Sequence, residues 1–174
     1  MIRLIAIKVV DRIKESGNTQ KALTVHSDII LSRLGFHELN EQVCSREGFI
    51  LLQVRDDINA YNSFRNDLNS IYGIEVKELF LCGKSDHEEK VPDTARVSLA
   101  AILIEDRNEI VSRIQRILSL FGCTIRTRMG INLGNERKEG LIILELIGSV
   151  SEINSLIQRL SSIEEACTGV ICFD

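Results

Sequence analysis

Apolar positions along the chain alternate between two periods, and the switches mark the elements. Val97–Ile104 is a mostly apolar run of strand length, closed by Glu105-Asp106-Arg107. Ile110, Val111, Ile114, Ile117, Leu118 and Phe121 then recur at helical spacing and give one apolar face. Gly122 is placed to end that helix. Thr124–Met129 alternates and is β-branched, which predicts a strand, and Asn132–Glu139 reads as a polar turn containing Gly134. Leu141–Ile147 predicts the next strand. A helix follows with Ser149 or Ser151 as its N-cap and Val150, Ile153, Leu156, Ile157, Leu160 and Ile163 facing inward. Gly169–Phe173 closes the series as a last strand.

The first half repeats this order. With an offset of 95, Ile2–Phe36 lies on Val97–Ile131 without a gap, and ten of the 35 positions are identical. Asp11-Arg12 falls on Asp106-Arg107, and Arg33-Leu34-Gly35-Phe36 on Arg128-Met129-Gly130-Ile131. With an offset of 92, Glu47–Leu52 falls on Glu139–Leu144. Asp57 is positioned to cap the second helix, whose face is Ile58, Tyr61, Phe64, Leu68 and Ile71. Ser16-Gly17-Asn18-Thr19 interrupts the region after Arg12. It predicts a first helix that starts late, at Asn18 or Thr19, behind a longer loop than in the second copy.

The expected fold is therefore α+β: two ferredoxin-like βαββαβ domains in tandem, each with a four-stranded antiparallel sheet and two helices. The expected boundaries are 1–82 for copy one, 83–95 for a polar linker holding the only Pro, and 96–174 for copy two. Each unit is small for a solitary core, so the two are expected to associate as a pseudo-dimer.

Composition narrows the chemistry. The chain has 174 residues, a net charge of −4 with interspersed signs, 5% aromatics and no Trp. That argues against a direct nucleic-acid surface. No apolar run is long enough to span a bilayer and the N-terminus lacks a signal-peptide pattern, so no membrane association and a cytoplasmic location are expected. Cys44, Cys82, Cys123, Cys167 and Cys172 are odd in number and form no CxxC. They are expected to be unbridged thiols in a reducing compartment, with a redox-sensing thiol as the sharper alternative for Cys167 or Cys172. His26, His37 and His87 show no metal-ligand spacing, and His26 aligns with core Phe121. No GxGxxG, P-loop, GxSxG or HExxH is present, so neither metal, cofactor nor enzyme activity is expected.

Two motifs stand out. Asp-Arg ends strand one in both copies, and Arg-x-Gly ends strand two at the same end of the sheet, about 10 Å away. Two readings stay open. Arg33 with Asp11, and Arg128 with Asp106, form structural braces. Alternatively Asp11, Arg12, Ser16, Gly17, Asn18, Arg33, Asp106, Arg107 and Arg128 are candidate ligand-binding positions for a small anionic effector. In the second reading the Ser16-Gly17-Asn18 loop presents backbone N–H groups at a helix N-terminus, and copy one holds the effector. Gly35 and Gly130 are expected to supply a turn or bulge at the hairpin entrance.

The run Ala100–Arg107, then Ile117-Leu118 with Phe121-Gly122, then Ile125–Ile131, then Gly140–Leu144, resembles the family named as iron-only hydrogenase system regulators. Those are ACT-like domains related to the effector domain of the nickel-responsive regulator. The resemblance covers nearly all of copy two, most specifically through Arg128-Met129-Gly130-Ile131, and copy one more weakly. It implies an ACT-like regulatory fold and a role in control of gene expression or enzyme assembly. It also implies an effector near the loop after strand one, often where two domains meet. The His/Cys set of the nickel regulator has no counterpart here. The two repeats fill nearly the whole of these 174 residues, so a transcriptional role is expected to act through a regulatory protein partner or another chain. Two classes of function follow: a non-enzymatic regulatory or ligand-sensing protein, or an interaction module without a small ligand. Further homo-oligomerisation is compatible with both.

Overall fold

The computed structural model describes residues 2–37, 45–82, 90–104, 107–133 and 139–174, with the backbone alone at 107–109. The chain divides into two compact units, Met1–Phe80 and Leu81–Asp174.

The first unit runs β1 (Ile2–Val9), α1 (Arg12–Val25), β2 (Ile30–Phe36), β3 (Gly48–Val54), α2 (Ile58–Asn69) and β4 (Ile74–Leu81). The second runs β5 (Val97–Ile104), α3 (Arg107–Leu120), β6 (Ile125–Asn132), β7 (Gly140–Leu146), α4 (Val150–Ser161) and β8 (Ala166–Phe173). The sheets are ordered β2-β3-β1-β4 and β6-β7-β5-β8. Both are the four-stranded antiparallel sheets of the split βαβ arrangement that the period changes predict. The repeat extends to an irregularity: β2 slips register on β3 between Ile30 and Ser32, and β6 on β7 between Ile125 and Thr127. These are equivalent positions in the two copies.

Each helix pair covers one face of its own sheet. In the first unit Ile5, Ile7 and Val9 of β1 meet Leu52 and Val54 of β3, Leu23 of α1, and Tyr61, Phe64 and Leu68 of α2. In the second, Ala100, Ile102 and Ile104 meet Ile114 and Leu118 of α3 and Ile153, Leu156, Ile157 and Leu160 of α4. Val91 joins this second core, and Asn154 holds its backbone by bonds of 2.8 and 3.1 Å to its N–H and C=O.

The caps follow the sequence closely. Asp57 accepts from the N–H groups of Asn59 and Ala60. Ser149 forms a capping box with Glu152. The hydrogen bonds from the Ser149 hydroxyl and backbone N–H hold the Glu152 carboxyl below its usual range.

Five expectations need correction. First, α1 begins at Arg12, not at Asn18 or Thr19. Asp11 caps it by accepting from Ile13 N–H at 3.0 Å, so Ser16, Gly17 and Asn18 lie within the helix and no long loop precedes it. An available cap outweighed the helix-breaking tendency of Ser-Gly-Asn-Thr. Second, Ile58 at the first turn of α2 is 56% exposed, because the apolar face only begins to meet the sheet at Tyr61. Third, Gly35 and Gly130 occupy regular register positions opposite Ile50 and Ile142, away from the bulges. Fourth, α3 ends at Leu120 and passes through a 3-10 turn at Gly122–Thr124 instead of a glycine cap. Fifth, Cys82 and Cys167 form a disulfide within the second unit, with their Cα atoms 5.6 Å apart. Their separation of 85 residues carries no motif, so only the folded path of the chain brings them together. Cys123 and Cys172 stand outside it, and Cys44 lies outside the described residues.

Among the described residues no helix is long and apolar enough to cross a membrane, and no group of three His, Cys, Asp or Glu is placed to hold a metal ion.

Candidate functional site

Register decides where the two arginines of the first repeat go. Arg33 pairs with Leu52, and Leu52 pairs with Ile5, so Arg33 is level with the middle of β1. Val9 lies four residues further along, about 13 Å at 3.3 Å per residue. Arg33 is therefore mid-strand and does not reach Asp11. Being opposite Leu52, it stands on the helix-covered face, where its Nη1 donates to Gln20 Oε1 of α1 at 2.8 Å. Asp11 instead caps α1 and meets Arg46 Nη1 at 3.5 Å. The brace expected between Arg33 and Asp11 does not form, because the register separates them.

Arg12 opens α1 and turns its side chain back across the start of β3. A Cβ built on Gly48 would lie 2.5 Å from Arg12 Cδ and 3.0 Å from Cγ, so the missing side chain at Gly48 is what lets the Arg12 stem lie there. Arg12 Nε is buried and has no hydrogen-bond partner among the described residues. A buried donor without an acceptor is uncommon in a folded protein and marks a place where an acceptor is expected.

Between α1 and the β2-β3 hairpin lies an open cleft of about 610 Å³. Arg12, Ser16, Gly17, Thr19, Gln20, Arg33 and His37 line its polar side. Val9 and Ile50 line its apolar side; Phe36 and Phe49 also border it, but the register alternates them with Arg33 and Ile50 and so turns their stacked rings, with centroids 5.5 Å apart, to the face away from the helices. Gly35 and Gly48 complete it without adding side chains. The volume falls in the range of small-molecule sites, and an apolar wall with a few convergent polar groups is their usual make-up.

Of the candidate positions, the structure thus brings Arg12, Ser16, Gly17 and Arg33 around one cleft. Asn18 points away, into a separate hollow shared with Lys21, Asp67 and Tyr72. Asp11 serves as a cap beside the cleft. The proposed nest of free N–H groups at Ser16-Gly17-Asn18 is absent, because those groups lie inside α1. In the second repeat Asp106 and the Arg107 side chain lie outside the described residues. Arg128 is exposed on β6, opposite Leu144, with no polar partner among the described residues.

The sequence reading missed Thr19, Gln20 and Gly48. A signal for them existed in the repeat. Gln20 and Gly48 are identical in the other copy, as Gln115 and Gly140, whereas Ser16 and Thr19 stand where that copy has Val111 and Ile114.

Residues 96–168 match the family model described as "TM1266-like: Iron-only hydrogenase system regulator, putative". The family read from Arg128-Met129-Gly130-Ile131 and its neighbours is thus the one matched by the second repeat. Among solved structures, the protein TM1266 from Thermotoga maritima is 23% identical. It covers 45% of this chain and 98% of its own, with a TM-score of 0.43. The acetolactate synthase small subunit from Thermotoga maritima is 14% identical over 99% of this chain and 96% of its own, with a TM-score of 0.36. The regulatory subunit of aspartate kinase from Thermus thermophilus is 12% identical over 94% and 93%, with a TM-score of 0.35. No curated protein matches the chain.

Proposed function

We propose that this chain is a non-enzymatic regulatory protein whose first repeat senses a small anionic molecule. The cleft carries the reading: two guanidinium groups on its polar side, one with a buried and unpartnered Nε, facing an apolar wall. Guanidinium groups suit a planar oxyanion because they present paired donors and stay charged. The second repeat's match to a family of regulators supports the regulatory half of the proposal. A link to an iron-only hydrogenase system, action on gene expression through a partner protein and a cytoplasmic location belong to the same proposal and rest on that family alone.

Thermal-shift screening of the full chain against organic acids, nucleotides and metal ions tests the sensor reading. A ligand that binds only the folded state raises the melting temperature by mass action. The expected outcome is a shift with one class of anion that disappears in both Arg12→Ala and Arg33→Ala, while the unliganded variants melt within a few degrees of the parent. If no compound in a broad screen shifts the melting temperature, the chain is an interaction module and the sensor reading falls.

A further inference from the structure

We infer that the first-repeat cleft takes a carboxylate carrying an apolar body and no ammonium group, a 2-oxo acid in preference to the corresponding 2-amino acid. The inference rests on the sensor reading and sharpens it. Among the described residues lining the cleft there is no Asp or Glu to balance the two arginine charges. Gln20 Oε1 already accepts from Arg33 and the Thr19 hydroxyl donates to the Glu15 carbonyl at 3.0 Å, which leaves the uncharged Ser16 and His37 as further polar groups of the wall. An α-amino acid would therefore bring a second cation toward two guanidiniums with no carboxylate among the described lining residues to meet it. A 2-oxo acid presents only acceptors, which matches the buried Arg12 Nε. Val9 and Ile50 offer the hydrocarbon part an apolar surface.

The second repeat supplies an internal contrast. It keeps the glycine, glutamine and arginine of the framework as Gly140, Gln115 and Arg128. Where α1 carries Ser16 and Thr19, however, α3 carries Val111 and Ile114. Ile114 is fully buried in its core and Val111 packs against that core. The cleft is thus hollowed by small and polar side chains on one helix only, which gives one ligand per chain.

Isothermal titration of the full chain decides the matter with matched pairs: phenylpyruvate against phenylalanine, and 4-methyl-2-oxopentanoate against leucine. A neutral analogue, 3-phenylpropanamide, and inorganic phosphate complete the panel. At least one oxo acid is expected to bind at one site per chain, at least tenfold more tightly than its amino acid, with no binding of the amide. Refilling the cleft as in the second repeat, with Ser16→Val and Thr19→Ile together, is expected to abolish that binding while the melting temperature holds or rises. Ser16→Val alone provides the same readout if the double variant folds poorly. An amino acid that binds as tightly as its oxo acid overturns this inference and leaves the sensor reading intact. So does phosphate binding in the absence of any oxo-acid binding. Binding unchanged in the filled variants overturns the assignment to this cleft, and no binding of any anion overturns both readings.

Discussion

Arg3 shows how one polar residue can sit in an apolar strand. It faces the helix-covered side of β1 and is only 6% exposed. Its guanidinium lies 4.0 Å from the Tyr61 ring centroid and 4.9 Å from that of Phe80, and Nη2 meets Asp56 Oδ1 at 2.8 Å. Tyr61 donates to Glu78, and its own burial, with that carboxylate beside it, pushes the phenol above its ordinary range. Asp56 is half exposed, so the ion pair contributes little, about 0–1 kcal/mol. Stacking of the desolvated cation on two rings contributes more. Arg3→Ala is therefore expected to cost about 2–3 kcal/mol in urea unfolding, and Arg3→Met less because it restores the packed stem. An alanine variant as stable as the parent would remove the stacking argument. Pattern alone identified β1 but not this contact, since the equivalent residue in the other copy is Ser98.

At the scale of the element, α1 is the least conventional helix. It carries a Ser-Gly-Asn-Thr segment in its interior and still runs unbroken from Arg12 to Val25. The Asp11 cap starts it, and Leu23 and Thr19 fasten it to the sheet. Most helix stability in a folded domain comes from such packing, which outweighs the local cost of glycine. That cost is recoverable. Gly17 has an ordinary helical backbone, and a Cβ there would meet nothing within 4 Å. Gly17→Ala is expected to raise the urea midpoint of the first unit, by about 0.5–1 kcal/mol in free energy. A lower midpoint would show that the helix needs the glycine. The same Ser-Gly-Asn-Thr segment misled the reading of the element and yet pointed to the correct place in the molecule. The small residues that weaken α1 also leave its face hollow.

For the whole molecule, the association of the two repeats remains a proposal. Its support is that each sheet has an apolar face on the side away from its helices. Ala6, Leu51 and Leu34 share a row in one sheet, and Ala101, Ile143 and Met129 share a row in the other. Antiparallel sheets with a solvated face normally alternate apolar and polar residues, which these strands do not. Expressing Leu81–Asp174 alone checks it, because that segment keeps its disulfide and its own core. The isolated unit is expected to self-associate or to unfold at a lower urea concentration than in the full chain. A monomer as stable as the parent would refute the association.

Length, period and repetition were enough to determine the two βαββαβ units, two of the helix caps and most of the inward-facing residues. These are local or pairwise properties: an apolar face must be buried wherever it occurs, and a capping side chain acts within three residues. The start of α1 depended on competition between a cap and a breaker, which only the packed helix resolved. The destination of Arg33 depended on strand register, the seat of Arg12 on Gly48 across the sheet, and the Cys82–Cys167 bond on the path of the chain through a whole unit. Each of these joins residues far apart in sequence. Tertiary structure therefore decided the cleft, since an empty volume is defined by what several distant segments leave unfilled and is written in none of them singly.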